Sequence, residues 1–542
     1  MADQNDFDVV VVGAGFAGLY ALHKFRDDLD LRVRVYETGD GVGGTWYWNR
    51  YPGARCDSES YYYCYSFSPE LAQEWEWSGR YPEQPEIERY LNHVADRFEL
   101  RPDIQLSTRV TSATFDDAAN RWEIRTDHDE TVTARYLVTA VGCLSAPNVP
   151  DIPGLDDFKG DVYFTAMWPR EPVDFTGKRV ALIGTGSSGI QATPPIAAQA
   201  EHLTVFQRTP NFSLPARHQA FHPEHQARIK DNYDEIFSLT RQSFAGFPFM
   251  PIDRTTMSVT DEERQEILDG LWQEGGFKFL WGGFIDLLAD PEANEIASEY
   301  IRNKIRETVS DPEIAELLCP KGYPYGAKRP PIDTDYYETF NRDNVKLVDI
   351  NESPIEAVTT TGLRTTDAEY EFDAIVFATG FDAMTGALLR MNITGAGGVR
   401  LADAWADGPR TLLGLAVAGF PNMFTITGPG SPSVLLNMPV AIEHHVDWIA
   451  DCIVYLREHG VTRIEATEEA QEAWAEHVAE VGQRSLFVRA NSWYVGANIP
   501  GKARVIMPYT GGQPMYRERC TAVSDAGYEG FTLEGSLDPA RT

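Results

Sequence analysis

Two short glycine-rich turns carry the residues whose spacing could do chemistry. The first is Gly13-Ala14-Gly15-Phe16-Ala17-Gly18 and the second is Gly184-Thr185-Gly186-Ser187-Ser188-Gly189. In such a turn the first glycine permits a tight bend and the second lets backbone approach a pyrophosphate. The third lets the following helix pack on the preceding strand, with the helix N-terminus facing the phosphates. Glu37 stands 24 positions past Gly13, and Arg208 stands 24 positions past Gly184. A carboxylate there suits a ribose 2′-hydroxyl and repels a 2′-phosphate, so the first turn is expected to bind FAD or NAD and not NADP. A guanidinium followed by Thr209 suits a 2′-phosphate, so the second is expected to prefer NADP(H). FAD in one unit and NADPH in the other imply hydride transfer to a flavin.

The elements around the turns fit that reading. FDVVVV (7–12) and GKRVALI (177–183) are apolar, β-branched runs of the kind that form parallel strands buried on both faces. LYALHKFRDD and IQATPPIAAQA have helical spacing, the latter with an awkward Pro194-Pro195, and LRVRVYE and HLTVFQR supply the next strands. WEIRT and TARYLVTAVGCLS read as strands, the latter ending near Gly142, and YEFDAIVFATGFD (370–382) reads as one strand. The expected fold class is α/β, with two Rossmann-like dinucleotide-binding domains and a helical insertion. The proline-rich connector APNVPDIPG (146–154) marks the first boundary. Residues 1–145 and 388–542 are assigned to the FAD-binding domain, 146–215 and 326–387 to the NADP-binding domain, and 216–325 to the insertion, whose amphipathic charged stretches lack glycine-rich turns. The tail beyond about 533 reads as disordered.

Bulk properties exclude several classes. A chain of 542 residues has room for two or three cores. The formal charge of -34 argues against nucleic acid as a partner and reads as a solvated acidic surface. There is no apolar run of membrane-spanning length and no basic, then apolar, leader at the N-terminus, so a cytoplasmic protein without a membrane partner is expected. The six cysteines (Cys56, Cys64, Cys143, Cys319, Cys452, Cys520) form no CxxC pair. Neither dithiol redox chemistry nor a metal site is indicated. Electrons leaving a reduced flavin then have molecular oxygen as the remaining common acceptor.

Two further motifs carry a family resemblance. Gly43-Gly44-x-Trp46-x4-Tyr51-Pro52-Gly53-x3-Asp57 and Phe158-x-Gly160-x3-Phe164-x3-Trp168-Pro169 resemble the fingerprints of type I Baeyer–Villiger monooxygenases, and the likeness extends over nearly the whole chain. The GAKR and GPGSPS segments are nearer to the phenylacetone branch of that family than to its cyclohexanone branch. The second fingerprint departs at one place, where the family has histidine and this chain has Phe164. Phenylalanine neither titrates nor donates a hydrogen bond, so coupling between the domains is where the departure should tell.

The resemblance implies oxygenation of a ketone to an ester or lactone by way of a C4a-peroxyflavin, with NADPH and O2 consumed and sulfoxidation as a side activity; a monomer is expected, though nothing in the sequence fixes the oligomeric state. Such chemistry needs a fixed cation beside a developing oxyanion, and arginine serves because it stays protonated and planar. By motif match that residue is Arg329, steadied by Asp57. The flavin site is expected to draw on Gly13, Gly15, Ala17, Gly18, Glu37, Gly44, Thr45, Trp46, Asp57, Tyr63, Val110 and Met438. The nicotinamide site is expected to draw on Arg55, Gly184, Thr185, Gly186, Ser187, Ser188, Gly189, Arg208, Thr209, Lys328, Arg329 and Trp493. Lys328, Arg208 and Thr209 would clamp the 2′-phosphate, and Trp493 would close the site from a mobile loop (491–502). Ser433, Val434 and Leu435 are expected to line a mostly apolar substrate pocket. Three other classes share parts of this pattern: a class B flavin enzyme that oxygenates nitrogen or sulfur, an uncoupled NADPH oxidase, and a non-enzymatic nucleotide-binding protein.

Overall fold

The computed structural model describes residues 5–535. Strand Phe7–Val12 lies between Val33–Tyr36 and Thr131–Thr139, parallel to both, inside an eight-stranded sheet. Val9, Val10 and Val11 are fully buried because helices or strands cover both faces. The second sheet has five parallel strands, in the order Val345–Asp349, His202–Gln207, Arg179–Ile183, Ala374–Phe377, Asp161–Phe164.

The two glycine turns are near copies in space. Gly13 has φ +107, and a Cβ there would stand 2.6 Å from the Ala140 carbonyl oxygen; Gly184 has φ +111, and its Cβ would stand 2.5 Å from that of Ala378. A Cβ on Gly18 would come within 1.8 Å of Gly13 O, and one on Gly189 within 2.0 Å of Gly184 O. In each sheet the helix after the turn is therefore seated directly on the strand end, which only glycine allows.

Leu214–Pro215 pairs in parallel with Ile332–Asp333, and the chain between them is mostly helical, including Tyr233–Gln242, Asp261–Glu274 and Pro291–Thr308. After strand Ala374–Phe377 the chain returns to the first sheet. Ile393–Thr394 pairs with Val110–Asp116, and Met423–Thr425 with Thr131–Thr139. Helix Met438–Glu458 then packs on helix Phe16–His23.

Three readings of local structure change, and the helix read through the proline pair stands. Strand Thr131–Thr139 ends before Gly142. The segment 370–382 is two strands, Glu369–Glu371 in a small antiparallel sheet and Ala374–Phe377 in the five-stranded one. The change of sheet falls between Phe372, whose N–H goes to Thr361 O at 2.9 Å, and Asp373, whose N–H goes to Arg179 O and whose carboxylate accepts the Arg179 N–H, each at 2.8 Å. Pro194 and Pro195 lie inside helix Ser187–Gln199 without ending it. At the C-terminus, Phe531–Glu534 pairs with Arg463–Ala466, and residues 536–542 of the tail expected to be disordered lie outside the described residues.

Candidate active site

The helices that follow the two turns begin without a side-chain cap. Ser68, Thr260, Asp290, Asp311 and Thr467 each cap a helix with a side chain. Helices Phe16–His23 and Ser187–Gln199 instead start at Gly15 and Gly186, with no side-chain cap and no acid in the first turn. Their first N–H groups are left for an anion, which is what a pyrophosphate supplies. A Cβ on Gly186 would meet nothing within 4 Å, whereas one on Gly15 would lie 3.2 Å from Gly44 Cα, so the 43–44 backbone roofs the first cradle.

The two residues at the matching offsets occupy opposite environments. Glu37 is 5% exposed, and its carboxylate accepts N–H bonds from Ala14 at 2.8 Å and Gly39 at 2.7 Å. Burial pushes its pKa up against the pull of those donors. Arg208 is exposed, with its carbonyl held by Asn351. Lys328 lies over the Tyr323 ring at 4.6 Å, and its pKa is drawn down by burial and by the charge of Arg208. Among the described residues neither cation pairs with a carboxylate. Thr185 donates its hydroxyl to the Thr209 carbonyl at 2.8 Å, tying this corner to the second turn. A buried acid in one cradle and two unpaired cations in the other fit a ribose hydroxyl and a ribose phosphate respectively.

Arg329 follows Lys328 in the chain and reaches Asp57 and Val434. Its Nε and Nη2 donate to the two oxygens of Asp57 at 2.8 and 2.9 Å, and Nη1 donates to the Val434 carbonyl at 2.6 Å. The guanidinium lies 4.8 Å over the Phe277 ring. Burial alone would favour deprotonation, but Asp57 outweighs it and holds the group protonated. Arg329 keeps 22% side-chain exposure and Asp57 23%, so the pair is bidentate yet reachable.

Around this pair, Ser433, Val434 and Leu435 are buried, and Val434 and Leu435 join Cys143, Met384 and Tyr494 in one apolar cluster, with Trp493 and Met438 packed on it. The Trp493 and Tyr494 rings stand 4.4 Å apart, and burial pushes the Tyr494 hydroxyl pKa up against the pull of the Arg329 charge. Lys502 fastens the far end of that segment, donating to Asp382 and to the Ala383 carbonyl, each at 2.6 Å. Trp46 donates its indole N–H to the Tyr63 hydroxyl at 3.2 Å, both residues being buried. Thr45 opens a one-turn helix after Gly44, Ala17 lies in the helix after the first turn, and Val110 opens its strand.

Arg55 is oriented differently from expectation. Its guanidinium is taken by Glu83 at 2.6 Å and the Tyr81 carbonyl at 3.2 Å, so its backbone, not its side chain, faces the second unit. Phe164 stacks on Phe377 and belongs to an apolar cluster. Tyr494, Gln191 and Lys502 were not singled out from sequence. Nothing in the spacing of a lone tyrosine, glutamine or lysine distinguishes them, because their partners lie 100 or more positions away.

Two dinucleotide cradles and a carboxylate-held arginine define a flavin- and nicotinamide-dependent oxidoreductase. The family described as pyridine nucleotide-disulphide oxidoreductase matches residues 10–244, which include both turns. All six cysteines are free and buried. A Baeyer–Villiger monooxygenase of Pseudooceanicola batsensis is 45% identical over 525 residues, covering 96% of this chain and 95% of that one. A phenazine N-monooxygenase of Lysobacter antibioticus is 45% identical over 540 residues, covering 99% and 98%. The solved structure of OTEMO in complex with FAD and NADP superposes with a TM-score of 0.95 at 42% identity, covering 98% and 100%. The chain belongs to the flavin-dependent Baeyer–Villiger monooxygenases, a family of FAD- and NADP-binding enzymes.

Proposed function

We propose that this enzyme uses NADPH and O2 to convert a small ketone into an ester or lactone. The observation that carries the proposal is the Arg329–Asp57 fork, bidentate, protonated and still accessible. Bound FAD supplies the oxygen-activating redox chemistry, and bound NADPH supplies the hydride. Arg329 offers its charge to the oxyanion that develops from the carbonyl, and Asp57 and the Val434 carbonyl fix the plane of the guanidinium so that no reorganisation is needed. The segment carrying Trp493 and Tyr494 covers the site and excludes water, which would otherwise divert reducing equivalents to hydrogen peroxide.

We assign the flavin to residues 1–145 and 388–542, the nicotinamide nucleotide to 146–215 and 326–387, and a covering role to 216–325. Gly13, Gly15, Gly18 and Glu37 hold the flavin dinucleotide, with Trp46, Tyr63 and Met438 against the cofactor. Gly184, Gly186, Gly189, Arg208, Thr209 and Lys328 hold NADP. Ser433, Val434 and Leu435 contact the substrate, which their apolar setting favours being largely hydrocarbon. Buried free thiols suit a reducing cytoplasm, and we take the enzyme to act as a monomer, which sedimentation of the pure protein tests.

The deciding experiment is Arg329→Ala with a ketone panel. NADPH should still bleach the flavin while ester falls by about 10²-fold or more. Normal ester yield from that variant would remove Arg329 from the mechanism. A second reading, oxygenation at nitrogen or sulfur, is favoured by the identity to the phenazine N-monooxygenase. Presenting a ketone, a sulfide and a heteroaromatic amine side by side separates the two, because only ketone oxygenation should depend on Arg329.

A further inference from the structure

The Tyr51-Pro52-Gly53 stretch and the Pro194-Pro195 pair meet. Inside helix Ser187–Gln199, Pro194 and Pro195 bring no N–H, so the Gln191 carbonyl has no main-chain donor three or four residues on. Gly53 fills that gap: a Cβ there would stand 2.3 Å from Gln191 O and 3.1 Å from Pro195 Cγ, and its φ is +80. Only glycine fits on both counts. The Gln191 side chain completes the seat, accepting from the Tyr51 hydroxyl at 2.8 Å and donating to the Arg55 carbonyl at 3.0 Å. Tyr51 is buried, and Ser188 lies in the first turn of the same helix that carries Gln191. One residue, the buried Cys56, separates Arg55 from Asp57.

We propose that Gln191 is a positioning residue that ties the second dinucleotide unit to Arg329, gripping Tyr51 and the Arg55 carbonyl and so setting where Asp57 holds the guanidinium. This rests on the roles given above to Arg329 and to the second turn. An amide is the side chain required, because one end must both accept and donate; glutamate keeps only the acceptor and leucine keeps neither. The proline pair, unexplained as a helix feature, is then what opens a carbonyl for the fingerprint loop to pack against. Nucleotide at the turn acts on the helix start that carries Ser188 and Gln191, and the 51–57 segment follows.

Hydrogen–deuterium exchange on the FAD-loaded protein, with and without NADP+, tests this. In Gln191→Leu the 51–57 amides should exchange about tenfold faster than in the wild type, with the 7–12 strand unchanged. NADP+ should still protect 184–192 while its protection of 51–57 shrinks. In turnover with a ketone, the share of NADPH recovered as hydrogen peroxide should rise several-fold, while flavin reduction stays within about twofold of wild type. Gln191→Glu should lie between the two and serves if the leucine variant does not fold. Wild-type exchange at 51–57 in both variants overturns the proposal, as does faster exchange with an unchanged ester-to-peroxide ratio. Exchange does not depend on the substrate, so altered exchange with no ester from any ketone, in the wild type as well, counts against the proposed function alone.

Discussion

Phe164 stacks on Phe377 with ring centroids 5.1 Å apart and planes 16° from parallel. The two residues end neighbouring parallel strands and face each other in register. At the position where the family carries histidine, this chain has added a ring to the Phe158, Ile183 and Phe377 cluster. The fingerprint position is here part of the second unit's packing.

Restoring the family residue should therefore cost stability. Phe164→His places an imidazole against Phe377 and forfeits an aromatic pair, an expected loss of about 1 kcal/mol. Urea denaturation of the holoenzyme measures it, together with the ester-to-peroxide ratio. A histidine variant as stable as the wild type would mean that the stack contributes nothing.

Arg208 and Lys328 set nucleotide choice in this reading. Arg208→Ala should raise the KM for NADPH by roughly 10–100-fold, the worth of a hydrogen bond to a charged group, and leave the KM for NADH nearly unchanged. Steady-state kinetics with both nucleotides decides it, and equal losses for the two would disconnect Arg208 from the 2′-phosphate.

Lys502 holds the Trp493–Tyr494 segment to Asp382 from a largely buried position. Lys502→Met should expose 491–502 to limited proteolysis several-fold faster than in the wild type, because the segment loses an ion pair and a carbonyl contact. NADP+ should slow cleavage in both proteins. Identical cleavage rates would show that Lys502 does not fasten the segment.

Buried ionisable groups pull the pH dependence of stability in opposite directions. Burial, then Arg517, lowers the pKa of His445 to about 3; its Nδ1 accepts the Thr427 N–H at 2.9 Å, and its Nε2 lies 2.8 Å from the Tyr516 hydroxyl. The unfolded chain takes that proton first as pH falls below about 6.5, so stability is lost from there toward pH 3. Burial raises Glu443 to about 7, and the carboxyl accepts N–H bonds from Ser66 and Phe67. Here the folded chain holds the proton longer, so stability is present below about pH 4.5 and lost as pH rises to about 7. Glu443→Gln keeps an acceptor for both N–H groups and removes that loss. The variant should gain on the order of 3 kcal/mol at pH 8 relative to its own wild-type difference at pH 4.5. Urea midpoints at the two pH values test this, and a difference that does not change with pH would place Glu443 outside the linkage.

The sequence by itself determined the repeated frame. A buried β-branched strand, a glycine turn and a helix recur within about 30 residues, so their physics is local and the pattern can be read directly. Charge at one matched offset gives the two turns different expected cofactors for the same reason, with Glu37 and Arg208 each one strand away from its turn. The motif match also picked Arg329 and Asp57, 272 positions apart, which the fold brings into a bidentate pair. What the tertiary structure alone decided are contacts made across the chain by residues of ordinary type. The Arg55 guanidinium turned to Glu83, and Gln191 took the Arg55 carbonyl. Tyr494 joined Trp493 at the arginine, Lys502 found Asp382, and Phe164 found Phe377. A proline pair that looks like a fault in a helix became a seat for Gly53. Such partners are selected by packing and by the need to satisfy buried polar groups, and neither leaves a periodic trace in the sequence.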